Sequence, residues 1–267
     1  LTGRPSEAGT LPKVLFDAMI HAREPQGMEN LLYFMWYLLE NYGQLQDVTQ
    51  LLNNREIYFV PVINPDGYVA NERGGAGGGM WRKNRRVENG KVTGVDLNRN
   101  WGYQWGYDNS GSSPSSGSET YRGPAAFSEP ETVLLRDFCR KQRFAVALNY
   151  HTYSNLILYP FGYTRTNPNP DAAKMKAIAQ DLARYNHYSV GTAPELLYTV
   201  NGESNDWMYG ELKTFSYTIE AGDYNDGFWP SPQRIIPLCE ENLYPCLQLA
   251  RIAGPAPTLA VTAPVTP

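Results

Sequence analysis

Residues 144–151 read FAVALNYH, a short, nearly unbroken apolar run that ends on a histidine. Its length and its branched and aromatic residues predict a strand, and its lack of polar alternation predicts burial on both faces. Three further runs share the pattern: KVLFDAMI at 13–20, EIYFVPVIN at 56–64 and TFSYTI at 214–219. Between and after them lie periodic segments that predict helices over Gln26–Tyr42, Ser128–Gln142, Asp171–His187 and Pro232–Ile252. Ser128 and Glu131 stand in capping-box spacing at the second of these. Strands alternating with helices predict an α/β fold: a mixed, mostly parallel central sheet with helices on both faces. A fifth run, NLILY at 155–159, follows the 144–150 strand closely enough to pair antiparallel with it.

Composition narrows the class. A chain of 267 residues suits one large α/β domain or two small ones, and 42% hydrophobic against 19% charged residues argues against wholesale disorder. With 23 Lys+Arg against 27 Asp+Glu the net charge is -4, which argues against a nucleic-acid binder. No apolar run approaches the roughly 20 residues of a membrane-spanning helix. The 19 Tyr and 6 Trp favour a rigid, partly apolar binding surface. Three cysteines make no disulfide framework: Cys239 and Cys246 share one predicted helix, about 10 Å apart along its axis, too far to bridge. Buried apolar thiols are expected, a long-range bridge plus one free thiol being the alternative. Residues 70–127 show little periodicity and include GGAGGG at 74–79 and SGSSPSSGS at 110–118, so a long loop region is expected there. Residues 1–254 read as the domain, and PAPTLAVTAPVTP at 255–267 as a linker or tail that could lead to a further module.

The titratable residues fall at the strand ends. His21 follows the first run, His151 closes the third and Glu220 closes the fourth. In open α/β sheets ligands bind beyond the carboxyl ends of the strands. His21 and Glu24 stand three apart at a strand-to-helix turn, and with His151 they offer two imidazoles and a carboxylate. That set leaves a fourth zinc position for water, as catalytic sites do. A salt-bridging or capping Glu24 and a core His21 are the structural alternatives. His187, at a predicted helix C-terminus, is expected to be structural.

Larger motifs accompany these residues: HARE at 21–24, NPDGY at 64–68, WRKNR at 81–85, GVDLNRNW at 94–101, NYHTYSNLILYPFG at 149–162 and YTIEAGD at 217–223. In order and spacing they resemble the zinc carboxypeptidases of the pancreatic type, bacterial relatives included, from about residue 10 to residue 252. The resemblance implies one zinc ion held by His21, Glu24 and His151, and Glu220 as the general base acting on water. It implies Arg82 as the group that stabilises the oxyanion, and Asn98 and Arg99 as the grip on a substrate's terminal carboxylate. Tyr198 matches the family's mobile tyrosine, Arg23 would line the outer cleft, and Asp96 resembles the carboxylate that orients a zinc-binding imidazole. Peptide and protein C-termini would be the substrates, with no nucleic-acid or membrane partner, and a secreted location follows family habit.

Two departures from the family pattern bear on these expectations. The family's domain begins about fifty residues earlier with an edge hairpin, expected to be missing here, which would leave the strand at 56–64 without a neighbour and inclined to associate. Asn205 matches the position at the base of the side-chain pocket, and as an amide it predicts release of neutral aromatic or aliphatic residues. Asp206 would reverse that preference if it reached the pocket. The rival functions are a zinc amidase acting on cell-wall peptides or N-acyl amino acids, and a non-catalytic peptide-binding module.

Overall fold

The computed structural model describes residues 1–73 and 78–254. The expected linker at 255–267 and most of the GGAGGG run lie outside the described residues. The strands are β1 (Lys13–Ala18), β2 (Glu56–Val60), β3 (Val87–Glu88), β4 (Lys91–Val92), β5 (Val146–His151), β6 (Leu156–Leu158), β7 (Ser189–Gly191) and β8 (Phe215–Glu220). The helices are α1 (Gln26–Asn41), α2 (Gln46–Asn54), α3 (Pro65–Glu72), α4 (Pro130–Gln142), α5 (Ala172–Leu182), α6 (Ala193–Leu196), α7 (Ser204–Leu212), α8 (Pro232–Glu241) and α9 (Leu243–Ile252).

Six strands form one sheet in the order β2-β1-β5-β8-β6-β7. All neighbours are parallel except β6 and β8, so the sheet is mixed and mostly parallel. Successive residues of a strand face opposite sides, which is why the central runs are apolar throughout. Phe16 and Leu148 enter one core with Leu31, Phe34 and Leu247, whereas Leu15 and Ala147 enter the other with Trp101, Leu135 and Trp207. Helices thus cover both faces. Along β2, the sheet-edge strand, Ile57 exchanges hydrogen bonds with Leu1 on its outer side, at 2.6 and 2.9 Å.

Four local expectations change. The run at 155–159 pairs with β8, not with β5, because β1 and β8 already occupy both edges of β5. The segment 232–252 is two helices broken at Asn242, where Pro245 lacks the N–H that would bond back to the carbonyl of residue 241. Helix α5 stops at Leu182, five residues short, and exposed His187 sits beyond it with a left-handed φ of +57°. The capping box at Ser128 does not form. Helix α4 starts at Pro130 after Glu129, and the Ser128 hydroxyl donates to Glu129 Oε1 (2.7 Å) while accepting from Asn100 Nδ2 (2.9 Å).

Candidate metal centre and substrate cleft

Strands β1, β5 and β8 are adjacent and parallel, so their carboxyl ends share one rim of the sheet. His151 is the last residue of β5 and lies in register beside Glu220, the last of β8. Beyond β1 the chain turns at Met19, whose left-handed φ of +55° is uncommon for a residue with a side chain. The turn is held by Asn64 N–H on Met19 O (3.1 Å) and by Ala22 N–H on Arg82 O (3.0 Å). These bonds bring His21 back over the rim, and Glu24 follows just before α1 begins.

The three donors meet. His21 Nδ1 lies 3.0 Å from Glu24 Oε1, His151 Nδ1 lies 2.9 Å from Glu24 Oε2, and the two Nδ1 atoms are 3.1 Å apart. All three residues are buried. Asp96, fully buried, accepts from His21 Nε2 at 3.1 Å, which leaves the lone pair of His21 on Nδ1, facing the other donors. Acceptor atoms spaced about 3 Å apart, with bare lone pairs pointing inward, suit a common cation such as Zn²⁺ with bonds of about 2.0–2.2 Å. Burial and Arg82 lower the pKa of His21, favouring the neutral, ligating form. For His151 burial pulls downward too, but the Glu24 carboxylate overrides it and raises the value.

Asp96 also organises the positive side of the site. It accepts from Arg82 Nε (3.1 Å) and Nη2 (3.0 Å), and from the backbone N–H of Asn98 (2.9 Å). Arg99 Nη1 lies 3.9 Å from it. Burial alone would raise this carboxyl, yet Arg82, Arg99 and His21 hold it well below the usual range. Asn98 Oδ1 accepts from Ser204 N–H at 3.0 Å, and Arg99 Nη1 donates to Asn98 O at 2.8 Å, leaving Arg99 Nε buried without a partner.

A cavity of about 240 Å³ opens beside the donors and is lined by Arg23, Arg82, Asn98, Arg99, Tyr198 and Glu220, among others. Burial, with the charges of Glu24 and Glu203, pushes the Glu220 carboxyl up to about 7 against the pull of His151 and Arg82. Tyr198 is 54% exposed at the cavity edge, and the Arg23 guanidinium lies 4.2 Å from the centre of the Phe228 ring. The structure therefore brings nearly every sequence-derived candidate to one place. Asn205 is the exception: it is buried but does not line the cavity. Two residues earlier, Glu203 does. The sequence motifs singled out its neighbours Tyr198 and Asn205 and not Glu203, whose place in the cavity is set by the fold.

Fold and site together define an α/β protein in which three residues that could hold a metal converge at the rim of a mixed sheet. The model of the zinc carboxypeptidase family matches residues 2–245, and the chain belongs to that family. Carboxypeptidase A2 of Rattus norvegicus is 36% identical over 245 residues, covering 88% of this chain and 57% of that protein. The mast cell carboxypeptidase A of Homo sapiens is 34% identical over 243 residues, covering 86% and 57%. The chain thus spans little more than half the length of these curated relatives. Among solved structures, carboxypeptidase A from Helicoverpa armigera superposes with a TM-score of 0.84 at 30% identity, covering 95% of this chain and 64% of that one. Bovine thrombin-activatable fibrinolysis inhibitor gives 0.81 at 31%, covering 91% and 82%.

Proposed function

We propose that residues 1–254 form the catalytic unit of a metal-dependent exopeptidase that hydrolyses the last peptide bond of peptides and proteins. The observation that carries this reading is the shared cavity: three converging donors, a carboxyl raised to about 7 and an arginine–asparagine pair line the same space. His21, Glu24 and His151 would hold Zn²⁺, which when bound supplies a Lewis acid that makes water acidic and polarises a carbonyl. Glu220, poised near neutrality, takes a proton from water and returns it to the leaving amine. Arg82 offers a guanidinium to developing negative charge on the carbonyl oxygen. Asn98 and Arg99 bind the terminal carboxylate, the guanidinium as a two-pronged donor, which restricts cleavage to chain ends. Tyr198, exposed at the cavity edge, is placed to cover a bound substrate. An extracellular site of action belongs to this reading on family grounds. No described helix is long and apolar enough to cross a membrane.

Blocked dipeptides test the proposal. The expected result is release of the C-terminal amino acid, abolished by a chelator, restored by Zn²⁺ and absent when the terminal carboxylate is amidated. Chelator-insensitive release, or equal cleavage of amidated peptides, would overturn it.

A further inference from the structure

The cavity holds a carboxylate that hydrolysis does not use. Glu203, only 8% exposed, precedes the first residue of α7 and shares the cavity wall with Leu158, Val200 and Thr218. Thr218 lies two residues back from Glu220 along β8, about 7 Å at strand spacing, and pairs with Leu158 of β6. This part of the wall therefore lies about one long side chain away from the proposed general base. A Cβ at Gly162 would collide with Glu203 Oε1, so the glycine makes room for this carboxylate.

The charges around Glu203 are unbalanced. Its hydrogen-bonded neighbour is another acid, Asp206, itself fixed by Gly162 N–H (2.8 and 3.0 Å) and Tyr163 N–H (3.2 Å). Burial, then the charge of Glu203, raise Asp206 well above the usual carboxyl range, so the two acids resist being ionised together. Arg99 offsets the burial of Glu203 only in part, and the Glu203 carboxyl is still raised. A buried carboxylate whose charge is only partly offset is costly until a cation pairs with it. A ligand that combines an apolar stem with a cationic tip meets that need.

Resting on the exopeptidase reading above, we propose that Glu203 sets the side-chain preference, pairing with the ammonium or guanidinium of a C-terminal Lys or Arg whose methylenes lie along Leu158, Val200 and Thr218. The preference for neutral residues drawn from Asn205 gives way, since that amide does not reach the cavity. If Glu203 served only to brace Arg99, its removal would weaken every substrate alike.

The experiment compares kcat/KM for blocked dipeptides ending in Arg, Lys, Leu and Phe, using zinc-loaded wild type, Glu203→Gln and Glu203→Asp. Wild type is expected to release Arg and Lys at least as well as Leu. In Glu203→Gln the Arg-to-Leu ratio should fall about 10- to 100-fold, chiefly through KM, and Glu203→Asp should retain part of it. Calorimetry of free arginine and free leucine binding to the same proteins gives a readout that needs no turnover: arginine affinity should fall selectively in Glu203→Gln. An unchanged ratio, an equal loss for all four peptides, or a wild type that ignores Arg and Lys would overturn the assignment. Should no peptide be hydrolysed, the exopeptidase reading fails, and the arginine-to-leucine affinity ratio decides the Glu203 assignment alone. Should Glu203→Gln not fold, the wild-type and Glu203→Asp ratios decide it.

Discussion

Asp96 joins the two halves of the cleft at the level of single residues, since one buried carboxylate fixes the proton of His21 and the direction of Arg82. Asp96→Asn replaces an acceptor by a group that can also donate. The expected result is metal affinity weakened about 10- to 100-fold, measured by competition with a chromophoric chelator. Glu220→Gln keeps shape but cannot take a proton, so kcat should fall by about two to four orders of magnitude with bound zinc and Tm unchanged. A parallel loss of zinc would show that Glu220 supports the metal site instead. His21, His151 and Glu220 were legible because strand ends mark a rim in any α/β sheet, whereas Arg82, Asn98, Arg99 and Tyr198 were legible only through the motifs that carry the family resemblance. Glu203 was not, because its place in the cavity, with Leu158 and Val200 in the same lining, is set by the assembled fold.

Close approach of elements, not propensity, governs the frame of the site. Helix α1 lies on the sheet through Gly27, where a Cβ would stand 2.8 Å from Tyr150 Cβ and 3.2 Å from Ala18 Cβ. Gly27→Ala should therefore push α1 off β1 and β5 and cost ~1–3 kcal/mol despite its better helix propensity, read as a drop in the denaturation midpoint. A rise in stability would mean that the helix can shift freely. Helix α8 is tied to the loop after β8 by Arg234, whose Nε and Nη2 donate to Asp226 at 2.7 and 3.0 Å. That bond lowers the Asp226 carboxyl below its ordinary value. Because the folded value lies below the unfolded one, the stabilisation is fully present above the unfolded value and is lost as pH falls through the folded one. The Tm difference between wild type and Asp226→Asn should accordingly persist at neutral pH, begin to narrow below about 3.9 and close only as pH falls through the lower folded value. A difference that stays constant across that range would point to packing rather than charge. The helix limits that sequence periodicity missed have local causes: Pro245 breaks the last helix, and Asn100 takes the hydroxyl that Ser128 would have used as a cap.

Across the whole molecule, the donors come from segments 127 residues apart, so a bound ion links two regions of the chain. Ligand bound only by the folded state adds stability by mass action. Chelation should lower Tm and Zn²⁺ should restore it, whereas an indifferent Tm would argue against a metal at this site. The three cysteines are free and buried, and burial pushes the Cys239 and Cys246 thiols up to about 12. A thiol reagent should find none of them in the native protein and all three after denaturation. Rapid native reaction would contradict this packing.

Short apolar runs and the residues that end them sufficed to predict the α/β class, the parallel strands and the rim where His21, His151 and Glu220 stand. Those features depend on side-chain periodicity and on the rule that parallel strands end together, both of which operate along the chain. The partner of β6 and the presence of Glu203 in place of Asn205 in the cavity were decided by tertiary packing. Each depends on which distant surface a segment meets, and competition for space and hydrogen bonds resolves that only when the whole sheet is assembled.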